Sequence, residues 1–177
     1  MKTSNHIKIP WKDLSEGIHE FQFNIGNTFF ADIEYSEYKE GELEISIELI
    51  RKTQIMSLNF LIEGSVNVIC DRCLEPFDLD IYFESDLLVK VGTENEEIDD
   101  NIISIAENEE ILDLTHYVYE SIVLSIPFKK VHPDNENDES TCDQKMLAKI
   151  KKPTNSKSAK KETDSRWDVL KKLKNNK

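Results

Sequence analysis

The chain has 177 residues, of which 38% are hydrophobic and 32% charged, with a formal net charge of −13. This suits one domain with a modest core plus a solvated segment, and no run of about twenty apolar residues is present to span a membrane. Three cysteines, an odd number, and an opening Met-Lys-Thr-Ser-Asn-His-Ile-Lys-Ile-Pro-Trp without the apolar stretch of a secretory leader predict a reducing, cytoplasmic setting rather than a disulfide framework.

Residues 1–17 read as an irregular lead-in. Ile18 to Ile25 carries Ile18, Phe21, Phe23 and Ile25 and predicts a strand, whereas Phe29, Phe30, Ile33 and Tyr35 fit either a strand or a short helix. After the turn signal Lys39-Glu40-Gly41, the residues Leu43, Ile45, Ile47 and Leu49 alternate with Glu42, Glu44, Ser46 and Glu48, a strand with one wet face. A long hairpin over 54–91 follows. Met56, Leu58, Phe60, Ile62, Gly64, Val66, Val68 and Cys70 occupy alternate positions on its first arm. Phe77, Leu79, Ile81, Phe83, Leu87, Val89 and Val91 do so on its second, with Ser85 the one polar interruption. Glu94 to Asp100 reads as an acidic loop and Ile102, Ile103 and Ile105 as a short strand. Asp113 looks like the N-cap of a helix over 113–126, where Leu114, Tyr117, Val118, Ser121, Ile122 and Ser125 repeat at helical spacing before Pro127. The expected fold class is α+β and mainly antiparallel: a curled or barrel-like sheet whose long hairpin, not stable alone, is covered by the one helix. The expected division is a β-rich domain over 1–150 and a basic tail over 151–177 with linker composition and a short terminal helix near Trp167, Leu170 and Leu173.

Charge is divided unevenly. From Lys145 to Lys177 there are twelve Lys or Arg and three acidic residues, a net of +9, while residues 1–144 carry a net of −22. An acidic body repels phosphate, and a basic arm attracts it; a solubilising end lying on its own acidic body is the plain alternative.

Cys70-Asp71-Arg72-Cys73 sits at the hairpin tip, a spacing that lets both sulfurs face one tetrahedral ion. With His132 and Cys142 it completes a four-ligand Cys3His set suited to structural zinc. Two other readings stand beside zinc. One is dithiol redox chemistry, disfavoured because the pair lies between two strands instead of opening a helix. In the other the cysteines are merely small apolar residues. Arg72 at the tip can reach a phosphate or a carboxylate, or pair with Glu75 as an ordinary surface residue. His116 reads as a boundary histidine. No glycine-rich phosphate loop, nucleophile elbow or His-Glu-x-x-His is present, so an enzyme is not expected.

Val-Ile-Cys-Asp-Arg-Cys-Leu-Glu-Pro-Phe at 68–77 resembles the signature of the YceD-type family, the large ribosomal RNA subunit accumulation proteins. Three further stretches resemble the family pattern: Ile-Leu-Asp-Leu at 111–114, Ser-Ile-Pro-Phe-Lys-Lys-Val-His at 125–132, and Asp-Ser-Arg-Trp-Asp-Val-Leu-Lys-Lys-Leu at 164–173. Cys142 resembles the late family cysteine, although an acidic insertion, Asn135 to Ser140, holds it farther from His132 than the family pattern does. The resemblance implies a non-enzymatic role in ribosome assembly, with precursor ribosomal RNA or a large-subunit ribosomal protein as partner and no membrane or small-molecule substrate. Within that role Arg72, Lys151, Lys152, Lys160, Lys161, Arg166, Lys171, Lys172 and Lys174 are the candidate phosphate contacts, and Trp167 a candidate base-stacking or groove-docking residue. An acidic, chaperone-like module for a basic ribosomal protein is the alternative, and a thiol oxidoreductase a lesser one.

Overall fold

Strict apolar alternation over Gly41–Arg51 (β3), Ile55–Ile69 (β4) and Pro76–Gly92 (β5) builds three long antiparallel strands, each with one buried face. The structure, a computed structural model, describes residues 4–135 and 140–151. Gly17–Ile25 (β2) adds to β3, and the order across the sheet is β2-β3-β4-β5-β7-β6, where β6 is Glu96–Asp99 and β7 is Ile102–Ala106. A two-stranded piece pairs Lys8–Ile9 (β1) with Leu112–Asp113 (β8). The helices are Asn27–Ala31 (α1), Thr115–Ser125 (α2) and Gln144–Lys151 (α3). The chain divides into two units, Met1–Asp143 and Gln144–Lys177; α3 is the described part of the second.

The hairpin register places alternating residues opposite one another, Val68 on Phe77, Val66 on Leu79, Ile62 on Phe83 and Leu58 on Leu87. These rows continue through Ile45 and Leu49 of β3, so one face of β2–β5 is a continuous apolar surface. Helix α2 lies against this face through Val118, Tyr119 and Ile122. The polar interruption at Ser85 has a role there: the Tyr117 hydroxyl donates to Ser85 Oγ at 3.2 Å, while its ring packs 5.0 Å from that of Phe60. Gly64 opposite Leu43 has φ +143°, and a Cβ there would meet Glu42 O at 2.2 Å, so the close approach of β3 requires glycine.

Four expectations need correction. The sheet is open, with β2 and β6 as its edges among the described residues, so barrel-like closure does not occur. The chain crosses from β5 to the edge and returns through β7, which pairs parallel to β5, leaving the four-residue β6 as the far edge. The acidic stretch 94–100 holds β6; its residues are exposed on both faces, which removes the alternation that marks a strand. The lead-in is core, with Ile7, Ile9 and Trp11 buried. Arg51 holds its turn, donating from Nη1 to the carbonyls of Trp11, Lys12 and Leu14. Finally, α2 begins at Thr115, and Asp113 contributes by accepting the Thr115 N–H at 3.0 Å. The tail segment 152–177, including the expected terminal helix, lies outside the described residues.

Candidate metal centre

The hairpin tip is a tight knuckle. The Leu74 N–H donates to Cys70 O at 2.9 Å, the Cys70 N–H to Glu75 O at 3.0 Å, and the Arg72 N–H points at Cys70 Sγ at 3.4 Å. Closing the turn places Leu74 at φ 65°, a left-handed conformation unusual for a leucine, with its side chain exposed. This geometry turns both sulfurs of the pair inward; Cys70 and Cys73 are buried and free of disulfides.

The second half of the site comes from the chain after α2. Asp71 fastens it: its N–H donates to Lys130 O and its Oδ2 accepts the Lys130 N–H, both at 2.7 Å. The His132 ring packs against Phe77, with centroids 4.5 Å apart. The acidic insertion is pinched at its neck by the Asp134–Ser140 bridge and by the Thr141 hydroxyl, which donates to Pro133 O at 2.7 Å. That closure returns Cys142 to His132 despite their separation of ten residues. Of the predicted contact residues, Arg72 is exposed but donates from Nη1 to Ser140 Oγ at 3.1 Å. Lys152, Lys160, Lys161, Arg166, Trp167, Lys171, Lys172 and Lys174 lie outside the described residues, and Lys151 ends α3.

The four donor atoms of Cys70, Cys73, His132 and Cys142 lie within 4.8 Å of one another. Cys70 Sγ is 3.8 Å from Cys142 Sγ, and His132 Nδ1 is 3.4 Å from Cys73 Sγ and 3.8 Å from Cys142 Sγ. A tetrahedral ion with metal–sulfur bonds near 2.3 Å and a metal–nitrogen bond near 2.0–2.1 Å separates two sulfurs by about 3.8 Å, and sulfur from nitrogen by about 3.6 Å. These three separations lie within about 0.2 Å of the two values, so the donor set can hold a metal ion with all four positions filled by protein.

The thiols differ. Burial pushes Cys70 up, but the N–H groups of Cys73, Arg72 and His132 and the imidazole of His132 outweigh it and bring Cys70 down to about 6. Burial and the adjacent Cys70 and Cys142 thiols raise Cys73 above the ordinary thiol value, against the N–H groups of Glu75 and Asp143. Burial of both sulfurs disfavours the redox reading, whose attacking thiol needs access.

Asp71, Phe77 and Ser140 were not singled out by sequence reasoning. Asp71 had a signal, its place inside the knuckle; the other two act through contacts made only after folding. His116 is an exposed boundary residue, as expected, between the Tyr35 hydroxyl at 2.7 Å from Nδ1 and Glu120 at 3.0 Å from Nε2. No helix among the described residues is long and apolar enough to cross a membrane.

A family model described as large ribosomal RNA subunit accumulation protein YceD matches residues 58–174, about two thirds of the chain. No curated protein and no solved structure gives a significant match.

Proposed function

Since the chain belongs to the large ribosomal RNA subunit accumulation (YceD) family, we propose that it promotes accumulation of large-subunit ribosomal RNA as a non-enzymatic, cytoplasmic assembly factor. The observation that carries this reading is the span of the match, 58–174, which includes all four metal-centre residues and the basic stretch up to Lys174. In this reading the centre is a structural zinc site. Cys70, Cys73, His132 and Cys142 hold the ion, which closes the shell and leaves no position for chemistry. The ion ties the knuckle to the segment after α2 and so sets the surface around Arg72. Lys151, Lys152, Lys160, Lys161, Arg166, Lys171, Lys172 and Lys174 supply phosphate contacts to precursor RNA, and Trp167 a stacking surface.

Two measurements test this. Native mass spectrometry of chain purified without chelator should show one zinc per chain; a metal-free mass for the folded protein rejects the zinc site. Replacing Lys160, Lys161, Lys171 and Lys172 by Glu in the full chain should weaken binding to large-subunit precursor RNA at fixed salt and flatten its salt dependence. Unchanged affinity rules out the arm, and an unchanged ratio of large- to small-subunit RNA after depletion from cells rules out the role itself.

A second reading, an acidic module that holds a basic ribosomal protein, is favoured by the solvent face of the sheet. Glu20 stands opposite Glu48, and Glu44 opposite Glu63. Like charges directly opposite destabilise a sheet, and a cationic client relieves that repulsion.

A further inference from the structure

Beside helix α2 and the β7–β6 edge of the sheet runs an open cleft of about 1130 Å³. Its lining is aromatic and acidic at once. Tyr35, Tyr38 and Tyr119 supply rings, and Tyr35 meets Tyr119 edge to face at 5.7 Å. Glu37, Glu97, Asp99, Asp100 and Glu120 supply carboxylates, and no Lys or Arg lines the cleft among the described residues. Of these five, Glu120 is shared with His116 at 3.0 Å, and the other four make no ion pair among the described residues. Two exposed aliphatic side chains, Ile98 and Leu124, also line it. Among the described residues, strand β6 along the cleft pairs only with β7, which leaves its outer backbone edge to another strand.

Each feature selects the same kind of occupant. Carboxylates without cations repel phosphate and attract Lys and Arg. Tyrosine faces bind ammonium and guanidinium groups. The chain already shows this use of Tyr38, whose ring lies 5.9 Å from Lys130 Nζ. Ile98 and Leu124 need apolar partners, and an open strand edge takes an extended backbone.

We propose that this cleft docks an extended basic segment of a partner protein, in which Lys or Arg alternate with aliphatic residues. The inference deepens the second reading above by giving the client a site, and rests on it only for the client being ribosomal.

The test uses the full chain and a short fluorescein-labelled peptide of alternating Lys and Val. Reversing Glu97, Asp99 and Glu120 to Lys should weaken peptide binding at least about tenfold at fixed salt. Reversing Glu44, Glu63 and Asp80, the same charge change on the sheet face, should weaken it less than about threefold. Leu124→Ser, at a position 79% exposed and so tolerant of polar substitution, should weaken the Lys-Val peptide and leave a Lys-Gly peptide unaffected. Carbodiimide coupling should join the peptide to cleft carboxylates. Equal weakening by both triple reversals overturns the site yet leaves the diffuse acidic-client reading standing. Absence of peptide binding, displacement of the peptide by an RNA oligonucleotide, or cleft crosslinks from this chain's own lysines in 152–177 that the peptide does not displace would each overturn the proposal.

Discussion

Removing metal from the Cys3His centre should loosen one segment and leave the sheet folded. Among the described residues, no member of the main hydrophobic cluster or of the side chains packed against it lies beyond Ile126, so the β2–β5 sheet and α2 keep their packing without the ion. What the ion adds is a cross-link between Cys73 and His132, 59 residues apart. With the sheet and α2 still folded, the chain freed on opening is only the stretch from Ile126 to His132, and closing a loop of that length is worth about 2 kcal/mol of chain entropy. At about 1.4 kcal/mol per tenfold, this corresponds to roughly thirtyfold in the opening equilibrium of the segment it holds. The amides of Asp71 and Lys130, which bond across the junction, report that opening directly. Hydrogen exchange with and without chelator should therefore show their protection fall by about one and a half decades while β3 and β4 amides stay protected. Cys142→Ser should resemble the chelated protein and respond little to chelator. Equal loss of protection across β3 and β4, or undiminished protection at Lys130 in protein proved metal-free, would refute the reasoning.

Gly64→Ala should lower unfolding stability by about 3 kcal/mol or more, because the new methyl meets backbone of β3 at a left-handed φ; an unchanged urea midpoint would contradict this. Asp113→Asn tests the junction of β1, β8 and α2. Burial raises the Asp113 carboxyl, but the hydroxyl and N–H of Thr115 and the Lys8 ammonium outweigh it and hold it below the usual carboxylate range. A depressed folded-state value means stability present above the unfolded pKa and lost as pH falls through the folded one. The pair is about half exposed, with Lys8 Nζ 3.3 Å from Asp113 Oδ2, so its worth is at most about 1 kcal/mol. Urea titrations should show wild type ahead of Asp113→Asn at pH 7 and the gap closing as pH falls toward 3.

Much of the fold was legible because its long strands bury one face and wet the other. Met56 to Val68 and Phe77 to Val91 announced their faces through alternation, and Ser85 stood out as the one polar interruption, whose partner Tyr117 only the structure supplies. Strand β6 was hidden because both of its faces are wet, and the lead-in because Ile7, Ile9 and Trp11 are buried without a regular period. Open versus closed sheet was equally illegible, since the parallel return of β7 depends on long-range pairing with β5.

The sequence by itself determined the strand faces, the covering helix and four candidate metal ligands, because side-chain period and ligand chemistry are local properties. Tertiary structure alone decided that those residues meet. Cys70 and Cys142 stand 72 positions apart, and their convergence depends on the Asp71 clamp, the Phe77 ring and the pinched neck of an insertion that spacing alone would set against it. Proximity across such distances is a property of the packed chain, fixed by contacts that no local pattern records.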